Sequence, residues 1–239
     1  MSNRVEKDQI RDYLEGYHRS YGFPIRFYGN QIGTVLIGEW HYLFENEQAE
    51  LIEALRPSRL ILEHLGGLNY DPHADTLVKA EGRVCPDFEF DLIAKSLLTS
   101  HSDRPYGLRI FYELSRKYGI PLLGCDLTIT EMAQASILER GEENNEISEI
   151  KKLMSSPDKM GRLIMQRTRS QRDRQMKRFI SNHQGTPDNP SVAIVGQLHS
   201  AYINSCGVLN NYASIEQLPD SLTRRNAPLL ASQGVAFRA

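Results

Sequence analysis

Five ionisable side chains stand at or just past the ends of short apolar runs: Glu39 and His41 beyond residues 34–38, Glu63 closing 60–63, Asp126 after 121–125 and His199 after 192–196. Two imidazoles and three carboxylates form a nitrogen and oxygen donor set that suits a borderline divalent ion such as zinc, manganese, iron or cobalt. An ion held by His41, Glu63, Asp126 and His199 would activate a water or polarise a carbonyl, while a spare carboxylate takes the proton. Taken singly, each residue has a plainer duty: Glu39 and Glu63 can cap the helices that follow, and His41 can close a turn. Taken together, His41, Glu63 and His199 point to a site, because one edge seldom collects so many such groups by chance.

Arg172 is a further candidate. Met165, Thr168, Arg172, Met176 and Phe179 fall on one helical stripe, which places a guanidinium among core-facing residues. A buried arginine needs an anion. It can brace Glu63 or Asp126 as a structural ion pair, or hold a substrate carboxylate or a developing oxyanion. The neighbouring cations Arg162, Arg167, Arg169, Arg174, Lys177 and Arg178 are scattered around the helix as a solvated face. His64 follows Glu63 and, in a strand, points to the opposite side, as a core or supporting residue. Cys125 ends an apolar run as a packing thiol, and a Cys206–His199 nucleophile pair lacks an elbow or base spacing. His18, His73, His101 and His183 lie in helix or loop contexts without partners, and no P-loop or GxGxxG is present.

The elements that must position these groups follow from periodicity. Ile10, Tyr13, Leu14 and Tyr17 form an amphipathic helical stripe that stops at Gly22-Phe23-Pro24. The run at 34–38 is too short for a helix and apolar on both faces, as a central parallel strand is. A helix over 47–55, capped by Asn46 and ended by Pro57, leads to a second strand at 60–63. A helix near 108–118 precedes a third strand at 121–125, and a fourth lies at 192–196. Alternation of this kind implies right-handed crossovers and a mainly parallel α/β sheet flanked by helices, with ligands outside the carboxyl ends of the strands. Residues 130–183, broken by a polar stretch at 141–145, carry no strand signal and read as an inserted helical subdomain. The α/β core is then 1–129 and 184–239, with 184–190 a loop.

Composition narrows the partners. The 239 residues are 40% hydrophobic and 24% charged, and 28 Lys and Arg against 30 Asp and Glu give a net charge of -2. That leaves no cationic field for a phosphate backbone, so nucleic acid is not an expected partner. No stretch nears the roughly 20 apolar residues that span a bilayer, and the opening MSNRVEKDQIRDYLEG is polar. A cytoplasmic location with no membrane partner is the expectation. Cys85, Cys125 and Cys206 are too few and too dispersed for a disulfide framework or a cysteine-rich zinc site. The expected partner is a peptide or other small-molecule substrate, with a homodimer possible.

In Gly38-Glu39-Trp40-His41, Leu60-Ile61-Leu62-Glu63, Arg172-Asp173 with Met176, and Val195-Gly196-Gln197-Leu198-His199, the chain resembles the superfamily that joins the TraB/PrgY and Tiki proteins, the ChaN haem-uptake lipoproteins and the erythromycin esterases. Two GxxH motifs after core strands, an acidic end to the second strand and a helical Arg motif recur there in this order. The resemblance covers about residues 34 to 63 and 165 to 210. It implies an α/β core with a helical insertion and a rim site built from His41, His199 and Glu63. Tiki proteins are metal-dependent proteases, erythromycin esterases open a lactone and ChaN binds haem, so the fold carries over better than the reaction. The leading expectation is a metal-dependent hydrolase of a peptide, amide or ester bond, with Glu39, His41, Glu63, Arg172 and His199 as catalytic residues. The alternative is a non-catalytic haem- or ligand-binding protein of the ChaN type, for which a histidine or one of Tyr17, Tyr21, Tyr42 and Tyr202 supplies an axial ligand. The absence of a lipoprotein or secretory signal counts against haem uptake, and Trp40 and Gln197 leave substrate preference open.

Overall fold

The computed structural model describes residues 4–40, 44–98, 108–140 and 162–218. His41, Tyr42, His101 and the 141–145 break lie outside the described residues. The strands are β1 (Ile25–Tyr28), β2 (Thr34–Glu39), β3 (Arg59–Leu62), β4 (Leu68–Asp71), β5 (Thr76–Lys79), β6 (Leu122–Gly124), β7 (Ser191–Gly196) and β8 (Tyr212–Gln217). The helices are α1 (Ile10–Tyr21), α2 (Glu45–Leu55), α3 (Asp87–Leu98), α4 (Leu108–Tyr118), α5 (Ile129–Arg140), α6 (Arg162–Arg167), α7 (Arg169–Asn182) and α8 (Gln197–Cys206).

All eight strands join one sheet in the order β1-β8-β2-β7-β3-β6-β4-β5. The central five, β8 to β6, are parallel; β1 and the β4–β5 hairpin close the two edges antiparallel. Every residue of β2 is buried, as a strand covered on both faces requires. Its alternation sorts the core. Val35 and Ile37 pack with Leu14, Leu51 and Ile52 of α1 and α2, whereas Leu36 packs on the other face with Met176, Ile180 and Ile203 of α7 and α8. Thus α7, from the C-terminal end of the 130–183 segment, is part of the sheet's own covering layer.

The four expected strands all appear in this sheet, with no end shifted by more than one residue. β1, β4, β5 and β8 were not anticipated. β8 is buried at every position, but Ser214, Glu216 and Gln217 break the apolar run that would mark a central strand. Asn46 does not cap α2. The helix starts at Glu45, with Phe44 in the cap position and no side-chain cap bond. It ends as expected before Pro57, with Arg56 in the left-handed region at φ 43°. No helix among the described residues is long and apolar enough to cross a membrane.

Candidate functional site

The carboxyl ends of β3, β6 and β7 deliver Glu63, Asp126 and His199, and α7 brings Arg172 across them. All four line one cleft of about 790 Å³, together with His64. The guanidinium is the hub. Arg172 Nε donates to Asp126 Oδ1 and Oδ2 at 3.1 and 2.9 Å, and Nη2 donates to Asp126 Oδ2 at 2.5 Å and to Glu63 Oε1 at 2.7 Å. Nη1 takes part in none of these bonds. The second Glu63 oxygen accepts the Gly196 N–H at 2.6 Å, which ties the end of β3 to the end of β7. The expectation that a cation on the apolar stripe braces Glu63 or Asp126 is met at both carboxylates.

Electrostatics follow from this geometry. Burial by itself would raise the Glu63 carboxyl, but His199 and His64 when protonated, the Arg172 guanidinium and the Gly196 N–H outweigh it and hold Glu63 well below the ordinary carboxylate range. Asp126 is pushed up by burial and by neighbouring Glu63, against the pull of Arg172. Although burial opposes its charge, Arg172 is held fully protonated by the two carboxylates.

His199 sits in the first turn of α8, directly after β7. Its Nδ1 donates to Asp173 Oδ1 at 2.5 Å, which fixes the tautomer and leaves Nε2 as the acceptor. Nε2 lies 3.7 Å from Glu63 Oε1, beyond hydrogen-bond range. Asp173, next to Arg172 on α7, is therefore a site residue that the stripe argument passed over. On a helix, adjacent positions differ by about 100°, so one face of α7 serves the carboxylates while the next serves the imidazole. The adjacency of arginine and aspartate was the available signal.

The structure corrects the orientation of His64. Glu63–Leu65 is a turn of 3₁₀ helix rather than the end of a strand, closed by the Gly66 N–H on the Glu63 carbonyl at 3.1 Å. Successive side chains on such a turn diverge by about 120°, not 180°. Glu63 consequently faces Arg172 while His64 Nε2 donates to Glu39 Oε1 at 3.2 Å. Glu39 itself points to the α2 side of the sheet, where Gln48 bridges it to Gln217 at 2.9 and 2.7 Å. It reaches the cleft only through His64.

A second polar group lies under α8. Gly38 leaves room for it: a Cβ there would fall 2.5 Å from Gln197 Oε1 and 2.8 Å from Ser200 Oγ. Gly38 pairs with Glu216 across β2 and β8. The Gln197 amide, Ser200 Oγ and Glu216 Oε2 are buried without a hydrogen-bond partner.

The expected metal ligands can be tested against these bonds. Both Asp126 oxygens accept from Arg172, one Glu63 oxygen accepts from Arg172 and the other from Gly196, His199 Nε2 accepts no hydrogen bond, and His41 lies outside the described residues. No group of three or more His, Cys, Asp or Glu is placed to hold a metal ion there. Among the described residues Arg172 thus competes with an ion for Glu63 and Asp126. Of the tyrosines considered for haem, Tyr42 lies outside the described residues, Tyr17 is in the core, Tyr21 hydrogen-bonds Glu50, and Tyr202 is beneath Lys177. Cys125 is buried and its thiol is pushed well above the usual range, as an inert packing group should be. Cys206 interacts with Tyr202. Comparison with protein-family models, with curated proteins and with solved structures finds no match to this chain.

Proposed function

We propose that this chain is a hydrolase of amide or ester bonds that works by acid–base catalysis at His199. The carrying observation is an imidazole fixed at Nδ1 by Asp173, with an unpaired Nε2 in the wall of a cleft. Nε2 takes a proton from water as the water oxygen attacks the carbonyl carbon and the carbonyl electron pair moves onto its oxygen. The imidazolium then returns that proton to the leaving nitrogen or oxygen as the old bond breaks. Asp173 and Glu63 steady the imidazolium, and the Nη1 end of Arg172 opposes the oxyanion. The preorganisation resides in the bonds that hold Arg172 rigid. The ordered GxxH, Glu and Arg-Asp motifs, which resemble those of the TraB, Tiki and erythromycin esterase proteins, accord with a hydrolytic reading.

A panel of p-nitrophenyl esters and short amides, assayed with the wild type, His199→Gln and Asp173→Asn, tests this. Loss of a general acid–base typically costs about 10²–10⁴ in rate. The expected result is that His199→Gln loses turnover on that scale and Asp173→Asn loses a part of it, with both variants folded by circular dichroism. Retained turnover in His199→Gln refutes the proposal. Treatment with a chelator should leave the rate unchanged; loss restored by zinc, manganese, iron or cobalt would instead return the metal-dependent form, with His41 joining His199 as ligands.

A further inference from the structure

The cleft carries information about what it receives. Its polar floor is flanked by Leu127, Ile129, Met132, Met165 and Leu198. Met165 and Leu198 are 48% and 49% exposed, unusual for large apolar side chains, and both open onto this cleft. Leu198 immediately precedes His199. Met165 in α6 and Arg169 at the start of α7 are joined through Thr168, whose N–H bonds Ile164 O at 2.8 Å and whose carbonyl accepts the Arg172 N–H at 2.9 Å.

Arg169 differs from Arg172. Its side chain is half exposed, it lines the same cleft, and its nearest carboxylate oxygen, Asp173 Oδ2, is 3.9 Å away. That is outside hydrogen-bond range, and the other Asp173 oxygen is engaged by His199. Whereas Arg172 is committed to Glu63 and Asp126, Arg169 makes one long ion pair to Asp173 through Nε and presents its Nη1 and Nη2 end at the lip, suited to a substrate carboxylate.

Resting on the hydrolytic reading above, we infer that the substrate is an acylated apolar amino acid with a free carboxylate. Its apolar side chain packs on Met165 and Leu198, its carboxylate meets Arg169, and its acyl carbonyl lies toward His199. Water adds its hydroxyl to the acyl carbon and its proton to the amide nitrogen, releasing an acid and the amino acid. The same chemistry is carried by a small N-acyl amino acid and by the C-terminal residue of a peptide.

The experiment measures binding and cleavage separately on the full chain, with N-acetyl-L-leucine, its methylamide, and an N-acetylated pentapeptide ending in leucine. Calorimetry should show N-acetyl-L-leucine binding roughly tenfold tighter than the methylamide, the scale of one hydrogen bond to a charged group at a half-exposed site. Arg169→Gln should abolish that ratio and Arg169→Lys should keep part of it. Equal binding of acid and amide by the wild type, a comparison needing no variant, overturns the inference; so does a ratio that survives Arg169→Gln. A pentapeptide that binds more tightly than N-acetyl-L-leucine, with the same dependence on Arg169, assigns the carboxylate to a peptide end. Equal affinity assigns it to the small molecule. Cleavage is read by release of free leucine: an intact acid-to-amide ratio without release upholds the ligand class and refutes hydrolysis.

Discussion

Replacing Arg172 by methionine should uncover how much of the fold depends on one guanidinium. Glu63 and Asp126 are both 5% exposed or less, and Arg172 supplies the bonds that neutralise them. Removing one partner of a buried ion pair costs about 3–5 kcal/mol. For a chain of this size, roughly 2–4 °C is lost per kcal/mol, so the melting temperature should fall by about 6–20 °C. Lysine keeps the charge but offers a single ammonium in place of the Nε and Nη2 pair, so Arg172→Lys should recover only about half of the loss. A pH signature separates this from a simple cavity. In the wild type, Glu63 is held below its unfolded value, so its contribution is present above about pH 4.3 and lost as pH falls through the lower folded value. Without Arg172, Asp126, already pushed up by burial, rises further and Glu63 loses one of the charges that hold it down, so the carboxyls favour the folded state less as pH rises than they do in the wild type. The deficit of Arg172→Met should therefore widen from pH 4 to pH 8, followed by thermal melts in circular dichroism. A variant that melts with the wild type, or a deficit constant across that range, refutes the reasoning.

Glu216, buried with one oxygen unpartnered, is pushed up to about 7 by burial, only partly offset by Arg26. A raised carboxyl gives its full contribution below the unfolded value and loses it as pH climbs through the folded one. Glu216→Gln should match the wild type near pH 4.5 and exceed it above pH 7, by up to about 3 kcal/mol at 1.4 kcal/mol per unit; a gain of equal size at both pH values in urea unfolding would contradict this. Gly38→Ala should cost about 1–3 kcal/mol by overpacking against Gln197 and Ser200. Because those residues flank His199 on α8, the alanine variant should also turn over more slowly, and a normal urea midpoint with a normal rate would show that α8 yields freely.

The parallel core was legible because its strands are apolar on both faces: Val35 to Ile37, Leu60 to Leu62 and Val192 to Val195 needed no partner to be recognised. β8 was hidden since Ser214 and Glu216 face the polar group under α8, and burial there serves hydrogen-bonding side chains rather than hydrocarbon. The rim residues Glu63, Asp126, Arg172 and His199 could be read from strand ends and one helical stripe. Asp173 was marked only by its adjacency to Arg172, because its role depends on how α7 is rotated against α8. His64 was misplaced for a local reason, the 3₁₀ turn that replaces the last strand residue. The division of Glu63 and Asp126 oxygens between Arg172 and backbone donors is a three-dimensional fact that residue type does not carry.

The position of β2 has a consequence for how the chain is made. Both of its neighbours, β7 and β8, come from residues 191–217, and the Thr34–Ser191 contact spans 157 residues. During synthesis, β2 leaves the ribosome long before either neighbour exists, with every backbone group on both edges unpaired. At about 5–20 residues per second this interval lasts on the order of ten seconds or more, ample time for an apolar strand to find a wrong mate. Chain closure of this length also makes the central pairing slow. Nascent chains arrested before residue 191 should thus hold β2 in a chaperone-dependent state, and release of that dependence should coincide with emergence of β7 and β8.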